Sequence, residues 1–177
     1  AENFIRTVPV TENTLPPVID VELYESLGGS MPDTGTARQN LQEMLDLLEA
    51  HYGVKPILYA APNTYRAYVK SFAEDYPIWI SNYYYKPYFD WTFWQYTDSG
   101  ELEGYDGYQT HIDLNVYAGS MDEFRQQIEI QDSIGIAFPD IRPFVRFAEY
   151  FGRNDAAVHL LQEIALPVAH AQSLFVR

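Results

Sequence analysis

Apolar positions along the chain change rhythm from two to nearly four and back again. Pro17-Val18-Ile19-Asp20-Val21-Glu22 is a short β-branched run, bounded by Pro16-Pro17 before it and Gly28-Gly29 after it, and it predicts a buried strand. Within Thr36 to Tyr52, Leu41, Met44, Leu45 and Leu48 fall at helical spacing, and Gly53 is placed to stop that helix. Pro56-Ile57-Leu58-Tyr59-Ala60 predicts a second strand, Asn63 a capped helix reaching toward Ala73, and Pro77-Ile78-Trp79-Ile80-Ser81 a third strand. Strands alternating with helices in this way predict an α/β protein built from βα units around a parallel sheet.

Trp91 to Thr97 and His111 to Val116 are two further strand candidates, separated by turn chemistry at Asp98-Ser99-Gly100 and between Gly104 and Gly107. Ser120, with Glu123 three residues on, has the spacing of a capping box ahead of a short helix. Beyond Gln131 the texture changes. Phe144, Phe147 and Phe151 predict one helix from Pro143, and Asp155 to Leu166 predicts another that Pro167 stops, so residues 131–177 are expected to form a helical extension after a first unit of residues 1–130.

Charge sharpens that division. The 177 residues carry 11 basic and 25 acidic side chains, for a net charge of -14. Residues 1–132 hold 7 of the basic and 21 of the acidic ones, and residues 133–177 hold 4 of each. So strong a negative field opposes binding to nucleic acid or to an anionic membrane surface, and no apolar run is long enough to predict membrane insertion. The absence of cysteine excludes a disulfide framework, a thiolate metal site and a cysteine nucleophile.

What remains as candidate chemistry is carboxylate and aromatic. Asp20 and Glu22 are two apart on one strand, so their side chains leave the same face near its C-terminal end, where parallel α/β folds build their sites. Two neighbouring carboxylates can hold different protonation states, as general acid catalysis requires; the spacing alone is weak and more often marks a polar strand end facing solvent. In Ile112-Asp113-Leu114-Asn115-Val116 the alternation puts Asp113 and Asn115 on one face, offering a third carboxylate from another strand. Nine aromatic residues crowd the fourteen positions from Tyr83 to Tyr96, which serves both a core and a groove for sugar rings. His51, His111, His159 and His170 lack metal-site spacing, and no phosphate-binding glycine motif or serine elbow is present.

Five stretches together resemble the glycoside hydrolase family 25 lysozymes, the N-acetylmuramidases. They are Ala1-Glu2-Asn3-Phe4, Leu15 to Glu22 with its P-x-x-D-x-E pattern, Pro77-Ile78-Trp79-Ile80, Phe93-Trp94-Gln95-Tyr96 and Ile112-Asp113-Leu114-Asn115. The resemblance implies a TIM-type (β/α)8 barrel in which Glu22 is the general acid, Asp20 the partner that orients the substrate's acetamido group, and Asp113 the aspartate of the last barrel strand. By the same implication Tyr59, Trp79, Trp94, Gln95 and Tyr96 line the glycan groove. The substrate would be peptidoglycan, cleaved at the β-1,4 bond between N-acetylmuramic acid and N-acetylglucosamine, with no metal or cofactor, outside the producing cell or delivered to the wall by a phage. Either a substrate-assisted or an inverting route is compatible with the sequence.

The chain departs from the family pattern in opening at the A-E-N-F segment. On that comparison a partial barrel, missing about its first three strands and one site aspartate, is expected, and its exposed sheet edges call for a cover. The helical extension folding over the opening, or a homo-oligomer closing it, would supply one. The alternative reading of function is an inactive remnant that binds wall glycan or self-associates without turnover.

Overall fold

The computed structural model describes residues 1–10, 15–23, 32–101, 111–120, 122–124 and 158–161. Its framework is one six-stranded mixed sheet in the order β1 (Val18–Val21), β2 (Ile57–Ala60), β3 (Ile78–Ser81), β4 (Phe93–Gly100), β5 (Ile112–Tyr117) and β6 (Val158–Leu161). The first four strands pair in parallel, and β5 and β6 each pair antiparallel with the strand before. Parallel neighbours need crossovers, and helices provide the first two.

Helix α1 (Glu2–Thr7) packs through Phe4, whose ring meets Tyr52 edge-on at 5.9 Å. Helix α2 (Thr34–Tyr52) carries the predicted apolar stripe, with Leu41, Leu45 and Leu48 buried. It begins two residues before the sequence expectation because Asp33 caps it, its carboxylate accepting from the Thr36 N–H at 3.0 Å. Gly53 ends it in the left-handed region at φ 72°, as expected of a C-terminal glycine.

The next crossover corrects the Asn63 expectation. The helix α3 (Pro62–Thr64) opens on Pro62 after an Ala61 cap, since proline at the first helical position has no N–H to lose. It passes at once into a π-helical turn (Tyr65–Val69) and ends there, short of Ala73. Arg38 of α2 fastens this turn by donating to the carbonyls of Tyr68 and Lys70 at 3.2 and 3.1 Å.

The sheet has two faces of different character. Ile19, Leu58, Ala60, Ile78 and Ile80 point toward the helices and form one buried cluster with Leu41, Leu45, Leu48 and Val69. On the other face Ile57, Phe93, Tyr117 and Phe124 form a second cluster with Val18 and Trp79 against it. Ser120 and Glu123 form the predicted reciprocal cap, with the backbone N–H of Ser120 on the Glu123 carboxylate at 2.7 Å and that of Glu123 on Ser120 Oγ at 3.2 Å.

Asp98-Ser99-Gly100 turns out to be part of β4, where it falls at the second of two register shifts against β5, the one between Thr97 and Gly100. Gly100 is required there, since a Cβ would come within 2.5 Å of Leu114 Cγ and 2.8 Å of the Ile112 carbonyl. A larger correction concerns the C-terminal extension. Val158–Leu161, expected inside a helix, is a strand paired with β5 from Tyr117↔Val158 to Leu114↔Leu161. The unpaired N–H and C=O groups along β5 reward strand pairing, which overrides the local helical pattern. The expected helix from Pro143, the boundary at Gln131 and the turn between Gly104 and Gly107 lie outside the described residues.

Candidate active site

The register places the candidate side chains. Asp20 of β1 pairs with Tyr59 of β2, Tyr59 with Trp79 of β3, and Trp79 with Phe93 of β4, so all four share a face. Two residues further along, Glu22 follows β1, Ser81 ends β3 and Gln95 pairs with Asn115 of β5. Because β5 runs antiparallel, its early residue Asp113 lies at the same end of the sheet as the C-termini of the parallel strands. Three carboxylates from two strands separated in sequence by some ninety positions thus share one end of one face.

Polar side chains between them are tightly partnered. Gln95 is 3% exposed and accepts the Tyr59 hydroxyl at 2.6 Å and the Tyr83 hydroxyl at 3.4 Å on its Oε1. Asn115 is also buried and accepts the Trp79 indole N–H at 2.8 Å, while Trp79 meets the Tyr59 ring edge-on at 5.5 Å. These bonds answer the polar groups that the apolar second cluster below would otherwise leave unpaired.

Burial and negative charge set the electrostatics. Burial pushes the Asp113 carboxyl above the usual aspartate range, with the nearby Asp98 adding to the rise and a hydrogen bond from Gln95 opposing it. Desolvation drives the Tyr59 hydroxyl far up; Glu22, Tyr83 and Asp20 reinforce this against a hydrogen bond from Ser81. Tyr83 is raised by burial first and then by Asp98, Asp113 and Glu22. Both tyrosines therefore remain neutral donors, and their responses connect all three candidate carboxylates electrostatically.

The structure sets Asp20, Glu22, Asp113, Tyr59, Trp79 and Gln95 along one face of the sheet, whereas Trp94 and Tyr96 fall elsewhere. Trp94 packs with the helix-side cluster, donates its indole N–H to the Asn82 carbonyl at 2.8 Å, and has Tyr96 against its ring at 5.8 Å. The alternation along β4 that turns Gln95 to the carboxylates turns Trp94 away. The rest of the aromatic run divides as well: Phe93 is buried and Phe89 stacks on Tyr65 at 4.4 Å, while Tyr84 and Tyr88 are 91% and 85% exposed.

Ser81, Tyr83, Asp98 and Asn115 belong to the site although sequence reasoning did not single them out as site residues. Ser81 and Asn115 were detectable as the next positions in period two from Trp79 and Asp113. Among the described residues no group of three or more His, Asp or Glu is arranged to hold a metal ion.

A mostly parallel sheet flanked by helices defines the class: an α/β protein. Residues 1–105 match the family model described as glycosyl hydrolases family 25. The chain belongs to that family. It is similar to a family 25 glycosyl hydrolase from Bacillus anthracis, with 43% identity and a TM-score of 0.65, covering 71% of this chain and 59% of that one. The spore cortex lytic enzyme SleM of Clostridium perfringens is 27% identical with a TM-score of 0.50, over 62% of this chain and 38% of that structure. Among curated proteins, the uncharacterized protein YegX of Escherichia coli K12 is 29% identical over 133 residues, 73% of this chain and 46% of YegX. The chain thus spans about half the length of the curated relatives it matches.

Proposed function

We propose that this chain is a lysozyme-type glycoside hydrolase that cleaves the β-1,4 bond between N-acetylmuramic acid and N-acetylglucosamine in peptidoglycan. The observation that supports the reading is the placement of Asp20 and Glu22 from β1 and of Asp113 from β5 at one end of one sheet face in a family 25 chain. In this reading β1 to β4 correspond to part of the family's (β/α)8 barrel, and β6, from residues 131–177, pairs with the edge of β5.

Glu22 is half-buried at the end of β1 and gives its proton to the glycosidic oxygen as the C1–O bond breaks. Asp20, behind it on the same face, orients the acetamido group whose carbonyl oxygen assists at C1. Glu22 then takes a proton from the water that completes hydrolysis. An inverting route would use the same acid with a second carboxylate activating water, and Asp113 occupies the opposite side of the face for that role.

Reducing ends released from purified peptidoglycan test the reading, with Glu22→Gln beside the parent. The variant keeps the shape and removes the proton, so a loss of about 10²–10⁴-fold is expected. A folded parent that retains wall glycan and releases no ends identifies a binding remnant instead.

A further inference from the structure

A pair of side-chain hydrogen bonds crosses the sheet side by side. The Tyr59 hydroxyl of β2 donates to Gln95 Oε1 of β4 at 2.6 Å, and the Trp79 indole N–H of β3 donates to Asn115 Oδ1 of β5 at 2.8 Å. Each bond passes over one intervening strand, and since neighbouring strands lie about 4.8 Å apart, each ties together backbones roughly 10 Å apart. The register gives both bonds a common direction. Tyr59, Trp79, Phe93 and Tyr117 stand level across the four strands, whereas Gln95 and its partner Asn115 lie two positions nearer the C-terminal ends of the parallel strands. Both rings therefore lean toward the end of the face where Ser81 closes β3 and Glu22 follows β1.

We infer that Asn115 is a positioning residue for Trp79: it draws the indole toward that end of the face and fixes the plane of the ring there. An indole N–H only donates, so the amide oxygen of Asn115 is the atom that can serve, and at 2% exposure the residue is sheltered from competing water. Aromatic neighbours fix the ring on two further sides. Buried Phe93 lies against it at 5.7 Å and 51°, and Tyr59, itself held by Gln95, meets it edge-on at 5.5 Å and 87°. Without Asn115 the indole N–H loses its acceptor beside the apolar cluster of Ile57, Phe93 and Tyr117, and the ring loses the contact that sets its tilt. The inference deepens the hydrolase reading and rests on it for the sugar that Trp79 would meet. A ring already fixed binds that sugar without a cost in rotamer freedom, in the ground state and the transition state alike, so the contribution of Asn115 falls on KM and not on kcat.

The test uses the full 177-residue chain and reads both the ring and the reaction. Exchange of the Trp79 indole proton with solvent, followed by nitrogen-resolved NMR, should be slow in the parent and fast in Asn115→Leu. Release of reducing ends from solubilised peptidoglycan glycan strands should show KM raised about three- to tenfold in Asn115→Leu, with kcat within about twofold of the parent. Trp79→Phe keeps an aromatic ring and removes the donor. Adding Asn115→Leu to it should change KM no further, because Asn115 acts through the indole. An unchanged KM in Asn115→Leu, or effects of the two substitutions that add in full, overturns the inference. If Asn115→Leu does not fold, a fast-exchanging indole proton in the parent or an unmoved KM in Trp79→Phe overturns it. Should the parent release no reducing ends while its indole proton is protected and Asn115→Leu exposes it, the positioning role stands and the hydrolase reading fails.

Discussion

Asp113 carries a stability cost that its replacement should reveal. Its pKa in the folded chain is raised by burial and by Asp98. A carboxyl with a raised folded pKa favours the folded state while protonated, and that contribution is lost as pH rises through the folded value. The stabilisation is therefore present below about pH 3.9, the ordinary aspartate value, and absent at neutral pH. Asp113→Asn should melt higher than the parent at pH 7 and near the parent at pH 3; a lower melting temperature at pH 7 would count against the placement. Asp98→Asn removes the neighbouring charge and should lower the pH at which Asp113 titrates. A group that raises stability when neutralised and lowers activity when lost is what a site held at the expense of the fold looks like.

Among the elements, α2 and the strands carry the fold. Leu45 is fully buried between α2 and the helix-side face of the sheet, so Leu45→Ala should cost about 2–5 kcal/mol in urea unfolding. A loss well under 1 kcal/mol would place Leu45 outside the core. Gly100→Ala forces a Cβ onto the Ile112 carbonyl and Leu114, and should loosen the β4–β5 pairing, read as faster exchange of the Leu114 amide.

These elements also show what the sequence could tell. The apolar period of Leu41, Leu45 and Leu48 and the β-branched runs around Ile19, Leu58 and Ile80 respond to the nearest neighbours in the chain, so strand and helix were legible there. So was the grouping of Asp20 and Glu22, which follows from spacing on one strand. Trp94 and Gln95 divide because adjacent strand residues leave opposite faces, and the motif that names them together hides this. Val158–Leu161 depends on an open edge of β5 that lies some forty positions away in sequence, and Tyr83 depends on a hydroxyl reaching across to β4. Pairings of that kind leave no local period.

For the whole molecule, β6 joins residues on both sides of the expected boundary at Gln131 in one sheet. Amides of β5 that face β6 should exchange with solvent as slowly as those facing β4; rapid exchange confined to the β6 side would show that the pairing is not maintained in solution. Tyr84 and Tyr88 leave aromatic surface exposed after β3. The proposed activity of this sheet, with Glu22 at its edge, is glycoside hydrolysis. Reducing ends released from purified peptidoglycan by the 177-residue chain and by Glu22→Gln measure it most directly. Release by the parent and a loss of about 10²–10⁴-fold in the variant are expected. Equal release by both, or none by a folded parent, would contradict that activity.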